Sequence, residues 1–215
     1  MATIVQTRRL IVEGSDGRHS VIGLMRHHVP WPKDRDQAPF WIELGNSVDE
    51  ILADNFISTH LKARGVEILG VMLDADTTPP GRYQRVYQLC SQLFPSMPKS
   101  LEPTGLIAEN QGKRFGLWVM PDNSSDGSLE TFLRHLVPDK SEPIWQLAIN
   151  SAAQAKAARA AYRESHTDKA NLYTWLAWQD PPGQSPGLAL TKKFLDPASP
   201  SAAHFVAWFR NLYRL

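Results

Sequence analysis

The first two thirds of the chain alternate between short apolar runs and longer amphipathic stretches. Apolar runs at 10–12, 40–44 and 66–73 predict buried strands, because each is short and ends in glycine or a polar turn. Two further strands are predicted at 101–108 and 116–120, and the predicted helices cover 20–25, 48–64, 83–94 and 128–137. Strands that alternate with helices indicate right-handed crossovers and a mainly parallel, Rossmann-like sheet flanked by helices.

The last third of the chain has a different pattern. An alanine-rich helix is predicted at 144–162, and two aromatic-rich helices at 172–178 and 203–213 flank a stretch rich in glycine and proline. We therefore expect an α/β core over residues 1–140. A helical elaboration over 141–215 is expected to pack on that core, so that the two form one structural domain.

The amino-acid composition limits the classes of protein to which the chain can belong. The 215 residues are 42% hydrophobic and carry a formal net charge of +1, so there is no overall field that attracts nucleic acid, although a local basic patch stays open. The single cysteine excludes an internal disulfide and a cysteine-rich zinc site. We find no signal peptide and no apolar run near the roughly 18 residues that span a membrane. We therefore expect a cytoplasmic protein that does not enter the membrane.

Carboxylates follow two of the predicted buried strands. Glu13 comes directly after the run at 10–12, and Asp74 and Asp76 follow the run at 66–73. Ligands of open α/β sheets bind at the carboxyl ends of strands, and residues i and i+2 of an extended chain point the same way. Three converging carboxylates repel one another unless a hard cation such as Mg²⁺ or Mn²⁺ neutralises them. The alternative is that these aspartates only cap helices and form turns.

Other charged residues lie near the same predicted edge. Asp122 and Glu130 follow the last predicted strand and are candidates for a first or second metal ion; the alternative is a turn at Asp122 and a favourable place near a helix N-terminus for Glu130. Arg82 and Arg85 follow Asp76 closely and are candidates for contact with phosphate or nucleic acid, with solvent exposure as the alternative.

The sequence also weighs against other functions. Trp175, Trp178 and Trp208 lie among apolar residues in helix-like runs, which favours core packing over base stacking. No phosphate-binding loop of the Gly-x-x-x-x-Gly-Lys type is present, nor a Gly-x-Gly-x-x-Gly fingerprint, so ATPase and dinucleotide-binding functions lack support.

The Val-Glu-Gly and Asp-Ala-Asp motifs resemble those of the Toprim fold, the metal-binding module of topoisomerases, primases and overcoming-lysogenisation-defect (OLD) nucleases. The chain is also similar over nearly its full length to a family of small bacterial Toprim-like proteins, in the stretches 11–14, 73–76, 116–123, 127–130 and 174–179. The resemblance implies that Glu13, Asp74 and Asp76 bind metal and catalyse. Many relatives carry an acid where Gly17 stands here, and Asp16 either replaces that acid or caps the following helix.

These residues and the resemblance predict a phosphodiester-cleaving, nuclease-like protein that depends on Mg²⁺ or Mn²⁺ and acts on nucleic acid. Glu13 would bind the metal together with the two aspartates, or serve as the general base if only the aspartates bind it. The alternative is a non-catalytic Toprim-like module that binds nucleic acid, a nucleotide or a protein partner. A role in phage defence rests on fold-level analogy alone.

Overall fold

A five-stranded sheet forms the centre of the molecule. The computed structural model describes residues 7–32 and 38–215. The strands are β1 (Arg8–Val12), β2 (Trp41–Leu44), β3 (Ile68–Asp74), β4 (Leu106–Asn110) and β5 (Lys113–Met120). They lie in the order β2-β1-β3-β5-β4, with parallel pairing throughout except for the antiparallel β4–β5 pair at one edge. The prediction of an α/β fold with a mainly parallel sheet flanked by helices is confirmed.

Nine α-helices surround this sheet in the described residues. They are α1 (Ser15–Met25), α2 (Val48–Ile51), α3 (Phe56–Lys62), α4 (Pro79–Cys90), α5 (Leu129–Arg134), α6 (Glu142–Ala157), α7 (Thr167–Leu176), α8 (Pro186–Thr191) and α9 (Ala203–Tyr213). None of the helices in the described ranges is both long enough and apolar enough to cross a membrane.

The helices divide into two layers because the strand side chains alternate between the two faces of the sheet. On β1, Leu10 and Val12 join a core formed with α1 and α5–α9, whereas Ile11 joins the core formed with α2–α4. The C-terminal helices therefore share a hydrophobic core with α1. Helix α9 lies directly against the sheet over Gly70 and Gly116, which are register partners on β3 and β5.

Several helix boundaries differ from the predictions, including the starts of α1 and α4 and the helix predicted over 48–64. Helix α1 begins at Ser15, more than one turn earlier than predicted, and Gly17 in its first turn packs closely against Val12 and Met72. Helix α4 begins at Pro79, where the fixed φ of proline suits the first helical turn.

The third difference is a break in the helix predicted over 48–64. It forms two helices, α2 and α3, separated by residues 52–55. Ser47 caps α2 by accepting a hydrogen bond from the backbone of Glu50 at 3.2 Å. The carbonyl of Leu52, which the break leaves outside a continuous helix, accepts a hydrogen bond from Arg85 of α4 at 3.2 Å.

Candidate functional site

The chain reverses its direction across the sheet at β1, and this creates a crevice. From β1 the chain moves outward to β2 and then returns to β3 on the other side of β1. Helix α1 covers one face of the sheet and α2–α3 the opposite face, so the connections diverge at the carboxyl ends of β1 and β3. Open α/β sheets bind their ligands at such a topological switch point.

A pocket of about 370 Å³ lies at this switch point. Its lining comes from the β1–α1 turn, the end of β3, the start of α5 and the start of α7: Glu13, Gly14, Ser15, Asp16, Gly17, Met72, Asp74, Asp76, Ser128, Leu129, Glu130, Ser165, His166 and Lys169. Five of these residues carry a carboxylate. We call them, together with the space they enclose, the acidic pocket.

Glu13 enters the pocket directly after β1. Gly14 is fully extended, and α1 begins one residue later, so the glutamate lies at the turn between strand and helix. Burial raises the pKa of Glu13, the charge of Asp76 adds to the rise, and Arg82 together with backbone amides opposes it. Its Oε2 atom is buried and has no hydrogen-bond partner among the described residues. One carboxylate oxygen of Glu13 is therefore available to a ligand.

Asp74 is the last residue of β3 and the most strongly perturbed carboxylate in the pocket. Its Oδ1 accepts a hydrogen bond of 2.8 Å from the backbone N–H of Leu129. Burial, followed by the charges of Glu13 and Glu130, raises its pKa to about 7. Val12 of β1 pairs with Met72 of β3, so Glu13 and Asp74 lie close together at the carboxyl ends of two adjacent strands.

Asp76 reaches the pocket by a different route from the one that the sequence predicted. β3 ends at Asp74, and Asp76 has a left-handed backbone with φ of 54°, so the i, i+2 geometry of an extended strand does not apply. Its backbone instead pairs with Gly127 in an isolated antiparallel bridge. The side chain is 57% exposed and accepts a hydrogen bond of 2.5 Å from Arg82.

Two further acids face Lys169, which belongs to the C-terminal helical region. The Lys169 ammonium lies 3.1 Å from Oε1 of Glu130 and 3.4 Å from Oδ2 of Asp16. Tyr173, one turn further along α7, donates a hydrogen bond of 2.8 Å to the same Asp16 oxygen. Burial works to lower the pKa of Lys169, but Glu130 and Asp16 raise it overall. Asp16 therefore contributes to the pocket and is tied to α7.

Sequence reasoning did not identify His166 and Lys169 as pocket residues. The spacing of Lys169 and Tyr173 places them on one face of a helix, but the sequence contains no indication that this face covers a strand edge some 150 residues earlier.

The three tryptophans that the sequence analysis assigned to the core differ in burial. Trp175 and Trp208 are buried as predicted, whereas Trp178 is 45% exposed.

The structure does not place Asp122 in the acidic pocket. Its carboxylate accepts hydrogen bonds from the backbone N–H groups of Ser124 and Ser125 and from the Ser125 hydroxyl, at 2.7–3.0 Å. Burial works to raise its pKa, but these hydrogen bonds lower it overall. Asp122 therefore organises the turn after β5, and we leave it out of the candidate metal ligands.

Arg82 and Arg85 lie together beside the acidic pocket. Both line an open depression between α2 and α4, and Arg82 connects the two features through its ion pair with Asp76. Arg85 pairs with the exposed Asp54 at 2.6 Å. The Nε atom of Arg82 is buried and has no hydrogen-bond partner among the described residues. An anion in this depression would find guanidinium groups next to the carboxylates.

The donor set of the acidic pocket fits a hard cation. Carboxylate oxygens are the ligands that Mg²⁺ and Mn²⁺ prefer, and Glu13 presents an unpartnered one. In the described ranges, no three His, Cys, Asp or Glu side chains are already arranged around one point. Mg²⁺ is usually held by one or two carboxylates with waters and substrate phosphates, so it does not require such a cage. Glu13 and Asp74 are the residues best placed to hold it.

Fold and site thus define an α/β protein with an acidic pocket at its topological switch point. The chain belongs to a family described as "Protein of unknown function (DUF3226)", whose model matches residues 7–214. No curated protein and no solved structure matches the chain.

Proposed function

We propose that this protein cleaves phosphodiester bonds in nucleic acid with the help of Mg²⁺ or Mn²⁺, and that its sheet is a Toprim-like core. The observation that carries the proposal is that Glu13, Asp74 and Glu130 line one partly buried pocket at the carboxyl edge of the sheet, where the charges of Glu13 and Glu130 raise the pKa of Asp74. Such a cluster is unfavourable without a compensating cation, and perturbed carboxylates in a cleft are typical of functional sites.

The Toprim-like interpretation rests on where two motifs stand in the fold. The glutamate of Val-Glu-Gly follows the first strand, and the Asp-Ala-Asp motif begins at the end of the parallel strand beside it. This is the arrangement that the resemblance implied for a metal site. Asp76 leaves the strand geometry but still lines the pocket.

Within this proposal, Glu13 and Asp74 hold the metal, and Asp76 and Glu130 are its nearest additional carboxylates. A bound Mg²⁺ or Mn²⁺ supplies an activated water and neutralises charge on the phosphate. Asp74 must lose its proton to act as a ligand, and its pKa of about 7 makes this step sensitive to pH near neutrality. Glu13, whose pKa is also raised, is the alternative general base if the aspartates alone hold the metal.

Arg82 and Arg85 supply positive charge beside the acidic pocket, which an anionic substrate requires. An anionic substrate is repelled by five carboxylates, so it needs positive charge at the margin of the pocket. Arg82 stands at this margin with an unpartnered Nε, and Arg85 continues the positive charge along α4. Bidentate hydrogen bonding from a guanidinium group suits a phosphate. We assign both arginines to the path of the phosphate backbone.

The test compares the wild-type protein with Asp74→Asn on three substrates: plasmid DNA, single-stranded DNA and single-stranded RNA. Each is incubated with Mg²⁺, with Mn²⁺ or with EDTA. We expect cleavage of at least one substrate by the wild type, dependent on metal and lost in Asp74→Asn. Asp122→Asn is the matched control, since it also removes a carboxylate from this edge but lies outside the pocket; it should cleave as the wild type does.

Absence of cleavage of every substrate, or equal cleavage by Asp74→Asn, would refute the enzymatic proposal. Calorimetric titration with Mn²⁺ then separates the two remaining cases. Binding of the metal that depends on Asp74 would indicate a non-catalytic module, and no binding would remove the metal site as well.

A further inference from the structure

A second, smaller pocket lies on the other side of α1, and nothing in the metal chemistry requires it. It has a volume of about 150 Å³. Its lining joins one face of α1 to the start of β2: Arg18, Ile22, Arg26, Trp31, Pro32, Ala38, Phe40, Trp41 and Ile42. Drug-sized ligands occupy pockets of roughly 300–1,000 Å³, so this pocket suits a single planar ring system. We call it the arginine–tryptophan pocket.

The polar groups of this pocket favour an anion. Arg18 of α1 and Arg26, the residue directly after that helix, both line the pocket, and none of the described residues that line it is acidic. Arg18 is fixed by a hydrogen bond of 3.2 Å from Nη2 to the carbonyl of Ile42, while its buried Nε has no partner among the described residues. Arg26 is exposed to solvent. Arg18 is therefore already held in place, whereas the side chain of Arg26 can adjust to contact a bound ligand.

The apolar wall of this pocket favours an aromatic ring. Trp31 is partly exposed, and its ring packs edge-on against the buried Phe40, with 5.1 Å between ring centroids. This contact holds the indole in one orientation, so that it can stack with a ligand at low entropic cost. A planar aromatic ring attached to a phosphate is the ligand class that matches an indole wall beside two arginines. That description fits a nucleotide unit.

The two pockets share helix α1. The helix begins beside Glu13, and Arg18 follows Gly14 by four residues, which is about 6 Å along the helix axis at 1.5 Å per residue. Successive phosphates of a stacked strand are about 3.4 Å apart along its axis. Because a helix with its side chains is about 10–12 Å across, a strand that leaves the acidic pocket and passes around the start of α1 reaches Arg18 within a few nucleotides. Arg26 lies about 12 Å further along the same helix.

We propose that the arginine–tryptophan pocket binds one nucleotide of a single-stranded nucleic acid, next to the phosphodiester that occupies the acidic pocket. The base stacks on Trp31, and Arg18 and Arg26 bind the flanking phosphates. A single strand is required because a paired base within a duplex does not expose its face to an indole wall. This inference names the substrate class for the proposed function and rests on it.

The test measures binding separately from cleavage. Fluorescein-labelled oligothymidine is titrated with the full-length protein in EDTA, and anisotropy is followed across several salt concentrations. Trp31→Leu should weaken binding about 5- to 150-fold, which is the range for loss of one base stack, while Trp31→Phe should keep most of the affinity. Arg26→Gln should make the slope of log affinity against log salt shallower by about 0.7, as expected for one lost phosphate contact on a single strand.

Arg64→Gln is the control, because Arg64 is equally exposed but precedes β3 at the amino edge of the sheet. Unchanged binding in Trp31→Leu and Arg26→Gln would overturn the inference, even if metal-dependent cleavage is intact. Tighter binding of the corresponding duplex than of the single strand would overturn it too. Should Trp31→Leu fail to fold, the salt slope of Arg26→Gln decides alone. Binding that depends on these residues without any cleavage would support this pocket and refute the enzymatic proposal.

Discussion

Replacing Asp74 by asparagine should stabilise the metal-free protein at alkaline pH, although it removes a proposed metal ligand. The substitution keeps the shape of the side chain and an oxygen that can accept the hydrogen bond from the backbone of Leu129. It removes a negative charge that is buried beside Glu13 and Glu130. If this charge is unfavourable in the native state, its loss must raise the free energy of unfolding.

The size of the effect follows from the pKa. Asp74 has a pKa of about 7 in the folded protein against an ordinary value of 3.8, and one pH unit corresponds to 1.36 kcal/mol. The native state therefore holds its proton more tightly than the unfolded chain does. The stability associated with this proton is complete below about pH 4 and is lost as the pH rises through about 7. The ceiling at pH 8 is about 4 kcal/mol, and we expect roughly 1–3 kcal/mol because side chains and water relax around the charge.

Urea unfolding in EDTA at pH 4.5, 6 and 8 measures this effect, with the free energy obtained by linear extrapolation. The gain in Asp74→Asn should be smallest at pH 4.5 and largest at pH 8. Asp122→Asn should instead lose stability by nearly the same amount at all three pH values, because the pKa of Asp122 is lowered in the fold and its stabilising charged form is present throughout this range. A gain in Asp74→Asn that does not change with pH, or a loss at pH 8, would refute the electrostatic description of the pocket.

Three further predictions concern the cation, the C-terminal region and the fold. Mg²⁺ at about 100 times its dissociation constant should stabilise the protein by about 2.7 kcal/mol at pH 8 and by less at pH 6, where Asp74 retains its proton, and thermal melts of wild type and Asp74→Asn check this. Lys169→Met should destabilise by less than about 1 kcal/mol, because the ammonium is half exposed, and the loss should shrink in high salt. Gly70→Ala should cost about 1–3 kcal/mol by urea unfolding, since its Cβ would lie 2.5 Å from the Tyr213 hydroxyl, whereas Gly14→Ala meets no atom within 4 Å and should cost little.

The strands and their shared edge could be predicted because burial on both faces leaves a continuous apolar run in the sequence. The run predicted at 66–73 is the observed strand Ile68–Asp74, displaced by one or two residues. The turn after β1 could also be predicted from the sequence, because Glu13 and Gly14 end an apolar run. From these two ends and the rule for open sheets, the meeting of Glu13 and Asp74 in one pocket followed without any knowledge of the helices.

The residues that sequence reasoning missed depend on contacts between distant parts of the chain. Lys169 belongs to α7 and His166 directly precedes that helix, but the periodicity of a helix does not identify the strand edge that it covers. Asp122, by contrast, was predicted as a candidate metal ligand but lies outside the pocket. A carboxylate that follows a strand is compatible with a turn as well as with a metal site. Only the hydrogen bonds from Ser124 and Ser125 separate the two interpretations.

The cost of the acidic pocket is itself an argument about function. If Asp74 served only to cap the start of α5, an asparagine would accept the same hydrogen bond from Leu129 without the repulsion of Glu13 and Glu130. Glu13 is also in an unfavourable environment, since burial and then the charge of Asp76 raise its pKa, and its Oε2 has no partner among the described residues. Lys169 offsets the charge of Glu130 and Asp16, but no residue in the described ranges forms a direct salt bridge with Glu13 or Asp74 at the strand ends. A cation between Glu13 and Asp74 would turn this repulsion into attraction, and this is why the electrostatics of the pocket favour a binding role over a purely structural one.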